Sequence, residues 1–152
     1  MGRLTILEFA NELNEILPTI IKGFSNRQVN ELYKGKITLP QFLVLQLLHK
    51  EGELKMSRLA QFVNVTTSAM TGLVERMVRD KYVVRVNDPK DRRVIRVKLT
   101  VKGSGLVKKI NEQRRQMIVK TFGQVSENER EAYLKVLVRV KDILSREEGI
   151  IK

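Results

Sequence analysis

Apolar residues recur at three- and four-residue steps from Leu4 to Phe24, where Leu7, Ala10, Leu13, Leu17, Ile20, Ile21 and Phe24 form one stripe of a helix. Pro18 lies inside that stripe. Proline removes a backbone donor and clashes with the preceding turn, so a kink or a short break is expected there. Residues 25–36 are more polar, carry Gly35, and read as a partly ordered connection. A second helix is predicted from Thr38, because Thr38-Leu39-Pro40-Gln41 fits a capping box with proline in the first turn. Phe42, Leu45, Leu48 and His49 follow at helical spacing, and Gly52 is the expected stop. Met56 to Val63 reads as a short third helix with Leu59, Ala60 and Val63 inward. After a turn at Asn64-Val65, Thr66 is the expected N-cap of a fourth helix. There Met70, Leu73, Val74, Met77 and Val78 make a complete buried stripe.

The period then changes from helical to alternating. Val84 to Asn87 and Ile95 to Leu99 read as two strands around Asp88-Pro89-Lys90-Asp91-Arg92-Arg93, a hairpin with a basic tip. Thr100 is expected to cap a fifth helix carrying Leu106, Val107, Ile110, Met117, Ile118 and Phe122, with Gly123 ending it. Ser126-Glu127-Asn128-Glu129 is a second capping box, opening a sixth helix with Tyr133, Leu137, Val140 and Leu144 on one stripe. The fold class is therefore mainly α with a small β-hairpin.

A short helix, a tight turn and an amphipathic helix make a helix-turn-helix unit, and the hairpin beside it makes a wing. Thr67, Ser68, Thr71, Gly72, Glu75, Arg76 and Arg79 share the face of the fourth helix opposite its buried stripe. Small hydroxylated residues at its start can approach base edges, and arginines near its end can reach phosphates. Mid-helix glycine at Gly72 costs about 1 kcal/mol against alanine, so either a surface approaches it closely or the cost is simply tolerated. Lys90, Arg92 and Arg93, flanked by Arg85, Arg96 and Lys98, give the wing a charge that suits a minor groove. Asp91 stands among these cations, and is expected to orient an arginine, because a carboxylate facing phosphate is repelled.

Charge sharpens this reading. The chain of 152 residues carries a formal net charge of +12. Residues 1–54 are neutral overall, residues 55–102 carry +8 and residues 103–152 carry +4. A basic middle third points to a polyanion. Cysteine is absent and His49 is the single histidine, which leaves neither thiolate nor His-rich metal sites. No cofactor is implied. No apolar run approaches the roughly 18 residues of a membrane helix. The N-terminus does not read as a secretory signal, so a cytoplasmic location without membrane contact is expected. Glu127, Glu129 and Glu131 sit in a first helical turn, where negative charge suits the macrodipole. Gly103-Ser104-Gly105 lacks the spacing and lysine of a phosphate loop. Lys108, Lys109, Arg114 and Arg115 read as a solvated helix face. His49 has no nucleophile beside it, so the chain is not read as an enzyme.

Residues 56–103 resemble the MarR family of transcriptional regulators. The matching runs are Leu59-Ala60, Val65 to Thr71, Leu73 to Met77, and Asp88-Pro89-x-Asp91-Arg92-Arg93. The family's wing signature, D-x-R followed by five residues and L-T, is met by Asp91, Arg93, Leu99 and Thr100. The resemblance implies a winged helix-turn-helix DNA-binding lobe over 38–100 and a helical dimerisation lobe over 1–37 and 101–152. It implies a homodimer joined by the first, fifth and sixth helices on a pseudo-palindromic duplex, acting as a repressor and released by a small apolar or phenolic ligand. It implies that Arg93 enters a minor groove and that Thr67, Ser68 and Thr71 face bases; with the residues read above, the candidate site comprises Thr66, Thr67, Ser68, Thr71, Gly72, Arg76 and Arg79 on the helix, and Arg85, Lys90, Asp91, Arg92 and Arg93 on the wing. The chain departs from the family pattern at Gly72, which weakens direct base readout. It departs again at Lys81, where glycine usually closes the helix, and at Lys55, where a hydroxyl often caps the third. A non-specific nucleoid-type or RNA-binding protein is the alternative, disfavoured by the scarcity of aromatic stacking residues.

Overall fold

The computed structural model describes residues 4–27 and 36–150. Among these, six helices and three short strands follow one another as α1 (Ile6–Arg27), α2 (Leu39–Glu51), β1 (Leu54–Lys55), α3 (Met56–Val63), α4 (Thr67–Arg79), β2 (Val83–Asn87), β3 (Ile95–Leu99), α5 (Val101–Phe122) and α6 (Glu127–Ile150). Most of the polar connection expected over 25–36 lies outside the described residues.

Helix α1 runs through Pro18 without the expected break. Proline costs the helix a single backbone donor, and the turns on either side keep their own hydrogen-bond ladders. Thr5 and Glu8 form a capping box at its start: the Thr5 amide and hydroxyl each donate to Glu8 Oε2 at 2.8 Å. The apolar stripe is present but uncovered, with Leu7, Leu13, Leu17, Ile20 and Ile21 all exposed.

The predicted capping box of α2 is formed. The Gln41 amide donates to Thr38 Oγ1 at 3.4 Å, and the Thr38 amide donates to Gln41 Oε1 at 2.8 Å. Gly52 closes the helix at φ 82°, a conformation that favours glycine. The buried face of α2 takes in Val44 and Leu47 as well as Phe42, Leu45 and Leu48, while Leu39, Leu43 and Lys50 stay exposed. This face is wider than the stripe that Phe42, Leu45 and Leu48 alone would mark. His49 is exposed.

Around α2 the core gathers Leu59 and Ala60 of α3, Met70, Val74 and Met77 of α4, Val97 of β3, and Leu106, Val107 and Ile110 of α5. Helix α3 starts at Lys55 with no side-chain cap and ends at Asn64, which takes the left-handed conformation at φ 58°. Thr66 caps α4 as predicted, its hydroxyl accepting from the Ala69 amide at 3.1 Å.

The three strands order as β1-β3-β2, all antiparallel. β2 and β3 form the predicted hairpin, in register from Val83 opposite Leu99 to Asn87 opposite Ile95. β1 has no signature in the sequence, being only two residues long. It pairs Leu54 with Val97 and Lys55 with Arg96.

Residues up to 114 make one compact unit, and residues 115–152 a second. In the second, the Ser126–Glu129 box opens α6, with the Ser126 amide donating to Glu129 Oε2 at 3.1 Å. The Phe122 and Tyr133 rings stack at 5.5 Å between centroids. Tyr133, Leu137, Val140 and Leu144 of α6 are exposed.

Candidate nucleic-acid interface

Three polypeptide segments meet where α4 ends, and this junction fixes the angle between α4 and the wing. Lys81 closes α4 at φ 65°, the strained position expected from the missing glycine. The Thr100 hydroxyl donates to the Lys81 carbonyl at 2.6 Å, with the Tyr82 carbonyl at 3.1 Å. The same hydroxyl accepts from the Gly103 amide at 3.0 Å, capping α5. Lys102 donates to the Asp80 carbonyl at 2.9 Å and lies 4.7 Å from the centre of the Tyr82 ring. A Cβ at Gly103 would sit 2.0 Å from the Tyr82 carbonyl oxygen, so only glycine lets α5 pass this close. The Leu-Thr-x-x-Gly stretch thus joins the fourth helix, the base of the wing and the fifth helix.

Along α4, Thr66, Thr67, Ser68, Arg76 and Arg79 are exposed, while Thr71 and Gly72 are half-buried. The Thr71 hydroxyl donates to the Thr67 carbonyl at 2.9 Å, and Arg76 Nε donates to the Gly72 carbonyl at 3.4 Å. A Cβ at Gly72 would meet nothing within 4 Å. The glycine is therefore not demanded by packing inside the protein. Arg85 of β2 pairs with Glu75 of α4 at 3.7 Å, an exposed ion pair between the helix and the wing.

At the tip Lys90, Asp91, Arg92 and Arg93 are exposed, whereas Asp88 is only 6% exposed. Asp88 Oδ1 accepts from the Lys90 amide at 2.8 Å and the Asp91 amide at 3.3 Å. Its Oδ2 accepts from Arg96 Nε at 2.6 Å. Arg96 above all, and then the Lys90 amide, hold the Asp88 carboxyl below its ordinary value. The turn closes through Val94 N–H to the Asp91 carbonyl at 3.0 Å and Asp88 N–H to the Val94 carbonyl at 2.9 Å.

Asp91, expected to orient an arginine, reaches Arg93 through the main chain. Its Oδ1 accepts from the Arg93 amide at 3.0 Å, the local reach of an aspartate bonding two residues ahead. Within the hairpin the guanidinium of Arg96 pairs with Asp88, and it also lies 3.9 Å from Glu53.

Between α4, the start of α3 and the wing lies an open cleft of about 420 Å³. It brings together Thr67, Thr71, Arg85 and Arg93 of the predicted site. Lys55 of β1 and Ser57 of α3 join them, neither of which the sequence placed in the site. Met56, Val94 and Ile95 supply its apolar lining. Thr66, Ser68, Gly72, Arg76, Arg79, Lys90, Asp91 and Arg92 lie outside the cleft. The cleft lining holds three cations and no carboxylate. Such a surface suits an anionic partner and offers no nucleophile paired with a base. Among the described residues no cluster of three or more His, Cys, Asp or Glu could hold a metal ion, and no helix is long and apolar enough to cross a membrane.

The sequence profile of the MarR family matches residues 37–95. An uncharacterized HTH-type transcriptional regulator of Bacillus subtilis, YsmB, is 30% identical over 92% of this chain and 96% of its own length. The HTH-type transcriptional repressor MdtR of the same organism is 25% identical over 80% of this chain and 79% of its own. The structure of a MarR family protein from Bacillus stearothermophilus superposes with a TM-score of 0.80 at 27% identity, covering 93% of this chain and 99% of that one. The chain belongs to the MarR family, whose members are DNA-binding transcriptional regulators of the helix-turn-helix type and not enzymes.

Proposed function

We propose that this protein is a repressor that binds a pseudo-palindromic double-stranded operator as a homodimer in the cytoplasm. The observation that carries the reading is the convergence of Thr67 and Thr71 of α4 with Arg85 and Arg93 of the wing around one cleft free of carboxylates. Thr67, Ser68 and Thr71 face bases in the major groove, with Thr66 and Gly72 beside them. Arg76 and Arg79 contact phosphates. Arg93 enters the adjacent minor groove, while Arg85, Lys90 and Arg92 neutralise backbone around it and Asp91 holds the Arg93 main chain. Residues 38–100 are the DNA-binding lobe, and 1–37 with 101–152 the dimerisation lobe. Support for the dimer comes from the apolar side chains that α1 and α6 leave exposed in the single chain. Repression is carried over from MdtR, a transcriptional repressor. Release by a small apolar or phenolic ligand rests on family membership, the ligand favouring one spacing of the two α4 helices.

The test begins with fragments selected from genomic DNA by the protein. A specific regulator prefers its selected palindromic site over random duplex by roughly 10³ or more. Arg93→Ala is expected to weaken operator binding and flatten the salt dependence of log K by about one unit. Equal affinity for operator and random DNA would overturn the regulatory reading. An unchanged salt slope would remove Arg93 from the interface. Sedimentation of the free protein should give the mass of two chains.

A further inference from the structure

We infer that Asp88, which is itself shielded from any partner, is the positioning residue of the wing, and that it acts by aiming Arg93. The inference rests on the proposed contact between Arg93 and DNA. Asp88 differs from the tip residues 90–93 in being buried. An uncompensated carboxylate in a ribbon meant for a polyanion would repel it, yet here the charge is covered and matched. One oxygen takes two successive amides of the turn, those of Lys90 and Asp91. The other takes the guanidinium of Arg96 on the central strand. Arg96 stands opposite Val86 of β2 on one side and Lys55 of β1 on the other. A single carboxylate therefore ties the turn to the strand that is itself anchored beside the start of α3.

This tie reaches Arg93 through the main chain. The Asp91 amide is held by Asp88, and Asp91 in turn bonds the Arg93 amide through its side chain and the Val94 amide through its carbonyl. The Asp88 amide closes the loop by donating to the Val94 carbonyl. Arg93 is thus bracketed by bonds that begin at Asp88, while its own side chain stays exposed. Without Asp88 the turn loses both amide ties, and ordering it again on DNA opposes binding. Arg96 loses its short pair at the same time and is left with Glu53, 3.9 Å away, so its charge is less fully matched. Loss of Asp88 should therefore lower operator affinity while sparing or raising affinity for random DNA.

The experiment is a double-mutant cycle on the full-length protein: wild type, Asp88→Ala, Arg93→Ala and the double variant, each titrated with operator and with random duplex below its melting temperature. Asp88→Ala is expected to cost about tenfold in operator affinity with no loss on random DNA, and to cost almost nothing further once Arg93 is alanine. Asp88→Asn keeps an acceptor for the turn amides but not the charge for Arg96, and should fall between wild type and alanine. It serves the same cycle if the alanine variant does not fold. If the costs of Asp88 and Arg93 add independently, or if operator and random affinities fall together, the positioning role is overturned. If Arg93→Ala alone changes nothing, the contact on which the inference rests is what fails.

Discussion

Replacing Gly103 by alanine would place a Cβ 2.0 Å from the Tyr82 carbonyl oxygen, and 3.0 Å from both the Tyr82 carbonyl carbon and a Leu99 methyl group. The oxygen cannot retreat alone, because it also accepts from the Thr100 amide at 3.0 Å. Restoring ordinary contact requires the first turn of α5 to move by about 1.5 Å, given an optimum separation of roughly 3.5 Å. Overpacking of this kind costs about 1–3 kcal/mol. Loosening the Thr100 bonds to Lys81 and Tyr82 adds about 1 kcal/mol each. The better helix propensity of alanine returns about 1 kcal/mol. A net destabilisation of about 3 kcal/mol lowers Tm by roughly 6–12 °C in a chain of this size. Gly105→Ala is the matched control in the same helix, since nothing lies within 4 Å of its added Cβ. It should hold Tm or raise it by about 2–4 °C. Thermal unfolding of the two variants side by side decides the matter. Equal melting temperatures would mean that α5 slides away from Tyr82 at no cost, and that the junction is not rigid.

Gly72→Ala has open space for its methyl group. It should raise Tm by about 2–4 °C through helix propensity while weakening operator binding on the order of tenfold, because it adds bulk to the face proposed to meet bases. A higher Tm with unchanged affinity would show that α4 keeps clear of the duplex at this turn. Thr100→Val removes the cap of α5 and the donor to Lys81 with little change of shape. A loss of about 2 kcal/mol, or roughly 4–8 °C in Tm, is expected, and a melt within a degree of wild type would refute the role given to that hydroxyl.

What could be read from the sequence was what is local. The capping boxes of Thr38 with Gln41 and Ser126 with Glu129 lie within single turns, and the hydroxyl of Thr66 reaches an amide three residues ahead. The stripe of Met70, Val74 and Met77 follows from the helical period alone. What escaped depends on long-range partners. β1 exists only because Leu54 and Lys55 meet Val97 and Arg96 more than forty residues later, and two residues carry no alternation to detect. The burial of Asp88 depends on Arg96 across the hairpin, which only the strand register reveals. That Asp91 would reach Arg93 through its amide could not be read from the surrounding cations, because a short side chain in a turn bonds its own backbone first. The burial of Val44 and Leu47 beside the predicted stripe of α2 was hidden because it depends on the elements that the fold packs around that helix. At the site, the hydroxyls and arginines of α4 and the wing were legible. The contributions of Lys55 and Ser57 to the cleft were not.

The short pairing of β1 makes the hairpin a stub rather than a whip. A beam bends by an amount that grows with the cube of its unsupported length, and β1 clamps the central strand as far out as Arg96. Only Ile95 with Asn87 opposite, and the turn beyond them, overhang that clamp. The overhang before the turn is about one residue, some 3.4 Å. Thermal bending is therefore confined to the turn, and few backbone torsions remain to be frozen when a surface is met.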